Sequence, residues 1–252
     1  MPPVRVSVAV VRGGRLDHVE GDTGRMPSAS LVKLIIGHLA LELVDDLDQP
    51  IAGDISTRHV LSHTTGLPNW REGEELVPIR PPGTRWGYSG EGFVLLQHEL
   101  ERQTGLSIDA LAAQRVFGLL GMDDTAFDEP EPGLHGYRQL LTTAGDLGRF
   151  LAQVLSIDDD RWRPQWVIDD ELAWGAGWGL ELGSVVFGWQ WGLNDAASNF
   201  VIGCPATGDG VVVLTDDPDG RRRYREIVER VLPGDHPSLR VERNPTWLDL
   251  VS

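Results

Sequence analysis

A serine and a lysine three positions apart are the residues of this chain whose types and spacing could do chemistry. Ser30 and Lys33 open an apolar run that continues to Ile36. On a helix, side chains three positions apart are neighbours, so the Lys33 amine could reach the Ser30 hydroxyl. A desolvated lysine can give up its proton and then act as the base that activates a serine nucleophile. The pair therefore predicts nucleophilic catalysis by Ser30, with Lys33 as the base.

The lysine content of the chain strengthens this prediction. Lys33 is the one lysine of the 252 residues, because arginine supplies the other 21 of the 22 basic residues. Arginine stays protonated in proteins and cannot replace lysine as a general base. The surviving lysine therefore indicates a titratable role. The competing interpretation is that Lys33 is a surface cation and that the arginine bias reflects codon composition.

Composition excludes several classes of partner. The formal net charge is −16, so the chain would repel a polyanion, and nucleic-acid binding is disfavoured. The N-terminus has no signal-peptide pattern, and no run reaches the roughly 18 apolar residues of a membrane span. We therefore expect a soluble, cytoplasmic protein with no membrane partner. A single cysteine, Cys204, rules out intrachain disulfides and is interpreted as structural.

Strand patterns lie near both ends of the chain, and helix patterns lie between them. A hairpin is predicted from Val4–Val11 and Leu16–Glu20, and four further strands from Trp178–Leu182, Val185–Trp191, Asn199–Gly203 and Gly210–Thr215. Helices are predicted from Ser30 to about Asp45, from Thr57 as a cap, and over Phe93–Arg102, Ser107–Leu120, Thr142 or Thr143 to Leu155, and Gly220–Leu232. The tail from Pro233 is predicted to be irregular.

These elements predict an α/β fold of the α+β type, with an antiparallel sheet of about five or more strands flanked by helices. We expect one domain over 1–252, with a sheet lobe from about 1–25 and 174–232. A mainly helical lobe of about 31–173 is inserted into it. The region 68–86 is rich in proline, glycine and charge. It is predicted to be a loop that covers a pocket, with Trp70 and Trp86 as candidate lining residues.

Two other patterns contain residues that could do chemistry but favour a structural interpretation. His59 and His63 are four positions apart and could hold a metal, but no third ligand is near, and a packed histidine is the better interpretation of His63. Ser89 lies in a glycine-rich stretch that lacks both the second glycine and the leading strand of a nucleophile elbow. No metal and no cofactor are assigned.

Four phrases in fixed order carry a family resemblance. They are Ser30-Leu31-Val32-Lys33, His59 to Pro68 (HVLSHTTGLP), Pro82 to Ser89 (PGTRWGYS) and Leu120-Gly121-Met122. In this order, the chain resembles the penicillin-recognising serine hydrolases, most closely their class C β-lactamase and esterase branch. The resemblance runs from about Arg25 to Asp216. It implies a β-lactamase/transpeptidase-like fold, in which an antiparallel sheet and a helical lobe enclose a pocket.

The resemblance also implies roles for particular residues. Tyr88 matches the tyrosine of the family's Y-x-N motif, which implies proton transfer with Lys33 and to the leaving group. Gly90 stands where the motif has asparagine, so that amide contact with substrate is lost. The third motif best matches Gln190-Trp191-Gly192, in which neutral Gln190 replaces a Lys or His.

By analogy, the oxyanion hole consists of the backbone N–H groups of Ser30 and Leu193. The resemblance implies a serine hydrolase that cleaves an ester or amide of a small intracellular molecule and forms an acyl-enzyme on Ser30. It implies weak or no β-lactamase activity, because Gln190 lacks the cation. The alternatives are an inactive β-lactamase-like binding protein and an acyltransferase. Four tryptophans, Trp174, Trp178, Trp189 and Trp191, suggest either an apolar substrate or packing on the sheet.

Overall fold

A central antiparallel sheet organises the protein. The computed structural model describes residues 3–73, 75–130 and 138–243. Its strands are β1 (Val6–Arg12), β2 (Arg15–Gly21), β3 (Met26–Pro27), β4 (Pro50–Ala52), β5 (Ile55–Ser56), β6 (Ala126–Pro130), β7 (Arg138–Thr142), β8 (Trp166–Val167), β9 (Leu172–Trp174), β10 (Gly179–Glu181), β11 (Phe187–Asn194), β12 (Ala197–Cys204) and β13 (Asp209–Thr215). Within these described ranges, eight strands form the main sheet in the order β2-β1-β13-β12-β11-β10-β9-β8.

Helices cover both faces of this sheet. They are α1 (Val32–Leu43), α2 (Thr57–Leu61), α3 (Gly90–Thr104), α4 (Ile108–Ala112), α5 (Gly118–Leu120), α6 (Ala144–Val154) and α7 (Arg221–Val231). A π-helical turn, Ala113–Phe117, joins α4 to α5. Shorter 3-10 segments are Ala29–Leu31, Asp160–Trp162 and Pro237–Arg243. In the part of the chain that the structure describes, no helix has the length and apolarity to cross a bilayer.

The alternation of side chains along β1 shows how the sheet separates two cores. Ala9 and Val11 belong to the core shared with α1, α3 and α6. Val8 and Val10 belong to the other core, which α7 closes. This period of two is what a strand buried on both faces requires. The α+β fold class with an antiparallel sheet is therefore confirmed.

Several local predictions differ from the structure. The sheet takes in β8 and β9, so on its C-terminal side it begins at Trp166 rather than near 174. Helix α2 is capped by Ser56 and not by Thr57, because the Ser56 hydroxyl accepts the His59 N–H at 3.3 Å. The region between the sheet segments also holds the strand pairs β4–β5 and β6–β7. Strands of two or three residues are too short to show a readable alternation.

The segment after α7 is ordered against the sheet rather than irregular. Its 3-10 turn begins at Pro237, and the Ser238 N–H donates to the buried Glu181 carboxylate at 3.0 Å. Glu181 lies on β10, so the segment is tied to the main sheet. The predicted tail beyond residue 243 lies outside the described residues.

Candidate active site

The turn that carries Ser30 has an unusual backbone. Ala29 has a φ of +47°, which a side chain with a Cβ rarely adopts. The Ser28 N–H donates to Leu140 O at 2.8 Å, which ties the turn to β7. Such a backbone conformation is kept only when contacts with the surrounding structure stabilise it. Residues with strained backbones are concentrated at functional sites. Ser30 is half-buried in the 3-10 turn Ala29–Leu31 that leads into α1, so the α-helix begins at Val32 and not at Ser30 as predicted.

Two residues of the main sheet hold this turn in place. The Asn199 amide on β12 donates to Pro27 O at 2.9 Å, while its carbonyl oxygen accepts the Thr215 N–H at 2.9 Å. A Cβ built on Gly192 of β11 would lie 2.3 Å from Ser28 O. Strand β11 can therefore approach the turn only because position 192 has no side chain. The bridge that Asn199 makes between Pro27 and Thr215 was not predicted from the sequence. An asparagine at the start of an otherwise apolar strand was a readable signal for such a role.

Lys33 lies next to Ser30, as the spacing predicted. Its Nζ donates to Ser30 Oγ at 3.1 Å. The side chain is fully buried, and this desolvation lowers the pKa of Lys33 from 10.5 to about 7. The Nζ lies 5.2 Å from the ring centre of Tyr88, 5.7 Å from that of Trp70 and 5.8 Å from that of Phe93. Near neutral pH, a large share of Lys33 is therefore the free amine.

Tyr88 joins the same site. Its hydroxyl is buried and close to both Ser30 and Gln190, but within the described residues it makes no hydrogen bond of good geometry. Burial raises the pKa of Tyr88, and the nearby Ser30 and Gln190 groups lower it only in part. The phenol therefore stays protonated at neutral pH and can supply a proton. The structure thus brings Ser30, Lys33 and Tyr88 together.

His63 fixes the loop that carries Tyr88. Its Nδ1 accepts the Ser89 N–H at 3.1 Å, and its backbone oxygen accepts the Gly87 N–H at 2.8 Å. The ring centres of His63 and Tyr88 are 4.2 Å apart. Burial, and then the nearby Lys33 charge, lowers the pKa of His63 well below 6.5. His63 is therefore a neutral, packed histidine, which agrees with the interpretation preferred from the sequence.

The two residues that follow Tyr88, Ser89 and Gly90, form the start of α3. The Ser89 hydroxyl donates to Pro68 O at 2.8 Å and accepts the Gly92 N–H at 3.0 Å, so its lone pairs and proton are used in capping. The Gly90 N–H donates to the side-chain oxygen of Asn69 at 3.0 Å. A Cβ on Gly90 would lie 2.4 Å from the Trp70 ring. Trp70 therefore occupies the space next to the missing asparagine.

The third motif lies along the edge of β11. Strand β10 pairs with β11 only over Phe187 to Trp189, so within the described residues Gln190 to Asn194 have no strand partner on that side. Gln190 is fully buried, and its amide makes no hydrogen bond of good geometry in the described part of the chain. Leu193 is half-buried on the same edge, opposite Ser198 of β12. Its oxyanion role stays a prediction.

The tryptophans are packing residues. Trp189 and Trp191 have ring centres 4.9 Å apart, and Trp174 lies 5.5 Å from Trp189. Trp178 lies apart from them, in the other core, with its ring centre 5.2 Å from that of Trp162. All four predicted tryptophans are buried. The structure therefore favours sheet packing over a shared substrate surface, and it removes Trp178 from the pocket edge.

Comparisons with known proteins agree with this architecture. The fold is shared with a penicillin binding protein from Bacillus halodurans (TM-score 0.76, 16% identity, 90% of this chain and 95% of that chain). It is also shared with a beta-lactamase from Mycobacterium bovis (TM-score 0.71, 24% identity, 90% and 94%). A D-stereospecific amidohydrolase from a Streptomyces species is similar as well (TM-score 0.71, 16% identity, 92% and 95%). No curated protein sequence matches the chain.

The fold is that of the penicillin-recognising serine hydrolases, as the resemblance implied. The family model described as Beta-lactamase matches residues 5–232, and the chain therefore belongs to the beta-lactamase family of serine hydrolases.

Proposed function

We propose that the protein cleaves an ester or amide of a small molecule through an acyl-enzyme on Ser30, with weak or no beta-lactamase activity. The main support is the 3.1 Å contact between Lys33 Nζ and Ser30 Oγ, in a site where burial lowers the pKa of Lys33 to about 7. A base with a pKa near the working pH combines a populated free form with useful proton affinity. The pair therefore has the chemistry of an activated nucleophile.

The reaction follows from these groups in order. The free Lys33 amine takes the Ser30 proton as Oγ attacks the substrate carbonyl, and two backbone N–H groups, those of Ser30 and Leu193, receive the developing oxyanion. Tyr88, which stays protonated because burial raises its pKa, passes a proton to the leaving group. The Lys33 ammonium then returns a proton to Tyr88 and is again the free amine. Water attacks the acyl-enzyme and gives a proton to Lys33, which passes it to Ser30 Oγ as the acid product leaves.

Two positions argue against an efficient beta-lactamase. Gln190 carries no charge where the family has a Lys or His that helps to hold a substrate carboxylate. Gly90 carries no amide, and Trp70 occupies the adjoining space. The structural similarity to a D-stereospecific amidohydrolase supports an amide as well as an ester as the bond cleaved.

Hydrolysis of 4-nitrophenyl butyrate tests this proposal. We expect turnover by the wild type and a loss of about a hundredfold or more in Ser30→Ala and Lys33→Arg. Ser184→Ala is the matched control, because Ser184 is an exposed serine on a turn outside the site. Equal rates in all four proteins would overturn the proposal. Nitrocefin turnover in the same proteins measures the beta-lactamase activity.

Two other functions remain as alternatives to this proposal. A catalytically idle binding protein is favoured by the same two positions, Gly90 and Gln190, and would show no difference between wild type and Ser30→Ala. An acyltransferase would use an acceptor other than water. Adding a primary alcohol or amine to the ester assay and measuring the new ester or amide separates transfer from hydrolysis.

A further inference from the structure

A cavity that the proposed mechanism does not use is lined in part by Tyr88. Its volume is about 630 Å³, and described residues of the segments 66–72 and 75–88 form its walls. The lining includes Leu67, Trp70, Val77, Arg80 and Tyr88. Because Trp70 and Tyr88 also surround the Lys33 amine, this cavity adjoins the proposed catalytic site.

Arg80 is the unusual residue of this cavity. Its side chain is half-buried, and its Nη1 is buried without a hydrogen-bond partner in the part of the chain that the structure describes. The backbone around it is closely fitted, since a Cβ on Gly66 would lie 2.0 Å from Arg80 O. A Cβ on Gly87 would lie 3.9 Å from Arg80 Nη1. The two glycines therefore make room for the arginine between them.

The other charged residues that the structure describes on this lining do not neutralise Arg80. Arg71 is engaged by the buried Glu91 carboxylate, with Nε donating at 2.9 Å. Arg85, Glu72 and Glu75 are exposed on the lining, where water screens their charge. No ion pair joins Arg80 to a carboxylate among the described residues. A guanidinium that is partly removed from water and has no carboxylate partner among the described residues is stabilised when an anion binds it.

The apolar part of the lining indicates what else the ligand carries. Val77 and Ile79 are large hydrophobic side chains that are 56% and 61% exposed, and both line the same cavity as Arg80. The protein as a whole carries a net charge of −16, so an anionic ligand needs a local cation to offset the overall repulsion. Arg80 supplies that cation, and its planar fork matches a carboxylate.

We infer that the Arg80 cavity binds the carboxylate of the substrate, and that the substrate is an apolar ester or amide bearing a carboxylate away from the bond that is cleaved. This inference rests on the proposed function and adds the substrate class. The substrate carboxylate is then bound in the Arg80 cavity instead of at the edge of β11, where Gln190 has no charge.

The kinetic test uses two matched pairs of esters. Mono-4-nitrophenyl glutarate is paired with 4-nitrophenyl valerate, which places the carboxylate on the acyl side. A valerate ester of 4-hydroxybenzoate is paired with phenyl valerate, which places it on the leaving side. For each pair we measure the ratio of kcat/KM, carboxylate over neutral, in wild type, Arg80→Gln, Arg80→Met and Arg222→Gln. Arg222 is an exposed arginine on α7 and serves as the matched control.

We expect the ratio for one pair to fall about tenfold or more in Arg80→Gln and to keep its wild-type value in Arg222→Gln. Arg80→Met keeps much of the apolar stem and provides a second folded variant, with the same expected fall. Ratios within about twofold of the wild type for both pairs in both Arg80 variants would overturn the inference.

A binding test separates this inference from the proposed function. Calorimetry with the Ser30→Ala protein compares 5-phenylvalerate with 5-phenylpentanol, and Arg80→Gln in the same background should weaken the carboxylate about tenfold or more. If the wild type hydrolyses no ester while Ser30→Ala binds 5-phenylvalerate through Arg80, the proposed function fails and the carboxylate site stands. Equal affinity for both probes, unaffected by Arg80→Gln, would overturn the site itself.

Discussion

The Trp70 indole and Gly90 fit against each other so closely that a Cβ at position 90 would lie 2.4 Å from the ring. The same indole has its ring centre 5.7 Å from Lys33 Nζ. The replacement of the family's asparagine by Gly90 is therefore coupled to Trp70, whose aromatic ring fills the adjoining space beside the proposed base. Loop 68–86 and the Tyr88 segment are fitted to one another through this contact.

Gly90→Asn is therefore expected to destabilise the protein instead of restoring a family feature. Forcing Trp70 aside should lower the free energy of unfolding by about 1–3 kcal/mol, measured by urea denaturation. The double variant Trp70→Ala, Gly90→Asn should remove this clash and show a smaller loss than the sum of the single variants. Gly53→Asn is the control, since nothing lies within 4 Å of a Cβ there and asparagine tolerates its φ of +53°. A Gly90→Asn protein as stable as the wild type would contradict the close fit.

The pH dependence of ester hydrolysis should follow the protonation of Lys33. Because burial lowers the pKa of Lys33 to about 7, kcat/KM should rise as the pH passes through that value and then level off. Burial raises the pKa of Tyr88, so the tyrosine should not limit activity in the same range. The measurement is kcat/KM for 4-nitrophenyl butyrate from about pH 5 to about pH 9. A profile with no rise near neutrality would contradict Lys33 as the base.

Replacing Lys33 by methionine should stabilise the fold at neutral and lower pH. The folded-state pKa of Lys33 lies near 7 against 10.5 for the free side chain, so the folded state binds fewer protons than the unfolded state between these values. The cost of the buried charge is therefore complete below about pH 7 and disappears as the pH rises toward 10.5.

The gain in Lys33→Met should be on the order of a few kcal/mol near pH 6 and should shrink toward pH 10. Urea denaturation of wild type and Lys33→Met across this range measures it. A difference in stability that does not change with pH would show that the Lys33 charge is not desolvated on folding.

Gly192→Ala should impair catalysis by moving the Ser30 turn. The added Cβ would lie 2.3 Å from Ser28 O, so β11 and the turn must separate. We expect a loss of about tenfold or more in kcat/KM, because small displacements of reacting groups are costly. Gly183→Ala is the control, since its Cβ would meet its nearest neighbour, Val185 O, at 3.6 Å. An unaffected kcat/KM in folded Gly192→Ala would show that the turn does not depend on this approach.

Asn199 should act as a positioning residue for the same turn. Its amide joins Pro27 O to the Thr215 N–H across the sheet. Asn199→Ala removes both hydrogen bonds, one of them to the buried Thr215 N–H, so we expect a loss of about 1–3 kcal/mol in stability together with a lower kcat. Asn199→Asp keeps the acceptor for Thr215 but loses the donor to Pro27. Both variants lose the donor to Pro27, so if that donor aligns Ser30 both should have a lower kcat than the wild type. A wild-type kcat in folded Asn199→Asp would contradict that role.

The sequence carried the parts of this site that depend on local spacing. Ser30 and Lys33 are one helical turn apart, and the hairpin of β1 and β2 has enough alternating residues to be predicted, so both predictions agree with the structure. Tyr88 came from an ordered motif instead of a periodic pattern. The sequence alone did not place its hydroxyl beside Ser30, since that depends on the packing of His63 against its loop.

The parts that were missed depend on tertiary contacts. Strands β8 and β9 have two and three residues and exist because the main sheet pairs with them. The fit of Gly192 to the Ser28 turn joins residues far apart in the chain and leaves no local pattern. Arg80 also leaves no local pattern, because nothing in the neighbouring sequence distinguishes it from the other 20 arginines, although its Nη1 is buried without a hydrogen-bond partner among the described residues.

Covalent labelling of Ser30 by a fluorophosphonate, located by peptide mapping, tests the central claim most directly. Wild type should carry the label on Ser30, Lys33→Arg should label much more slowly, and folded Ser30→Ala should carry none. Folded wild-type protein that resists the probe, or that carries it on another serine such as Ser89, would contradict an activated nucleophile at Ser30.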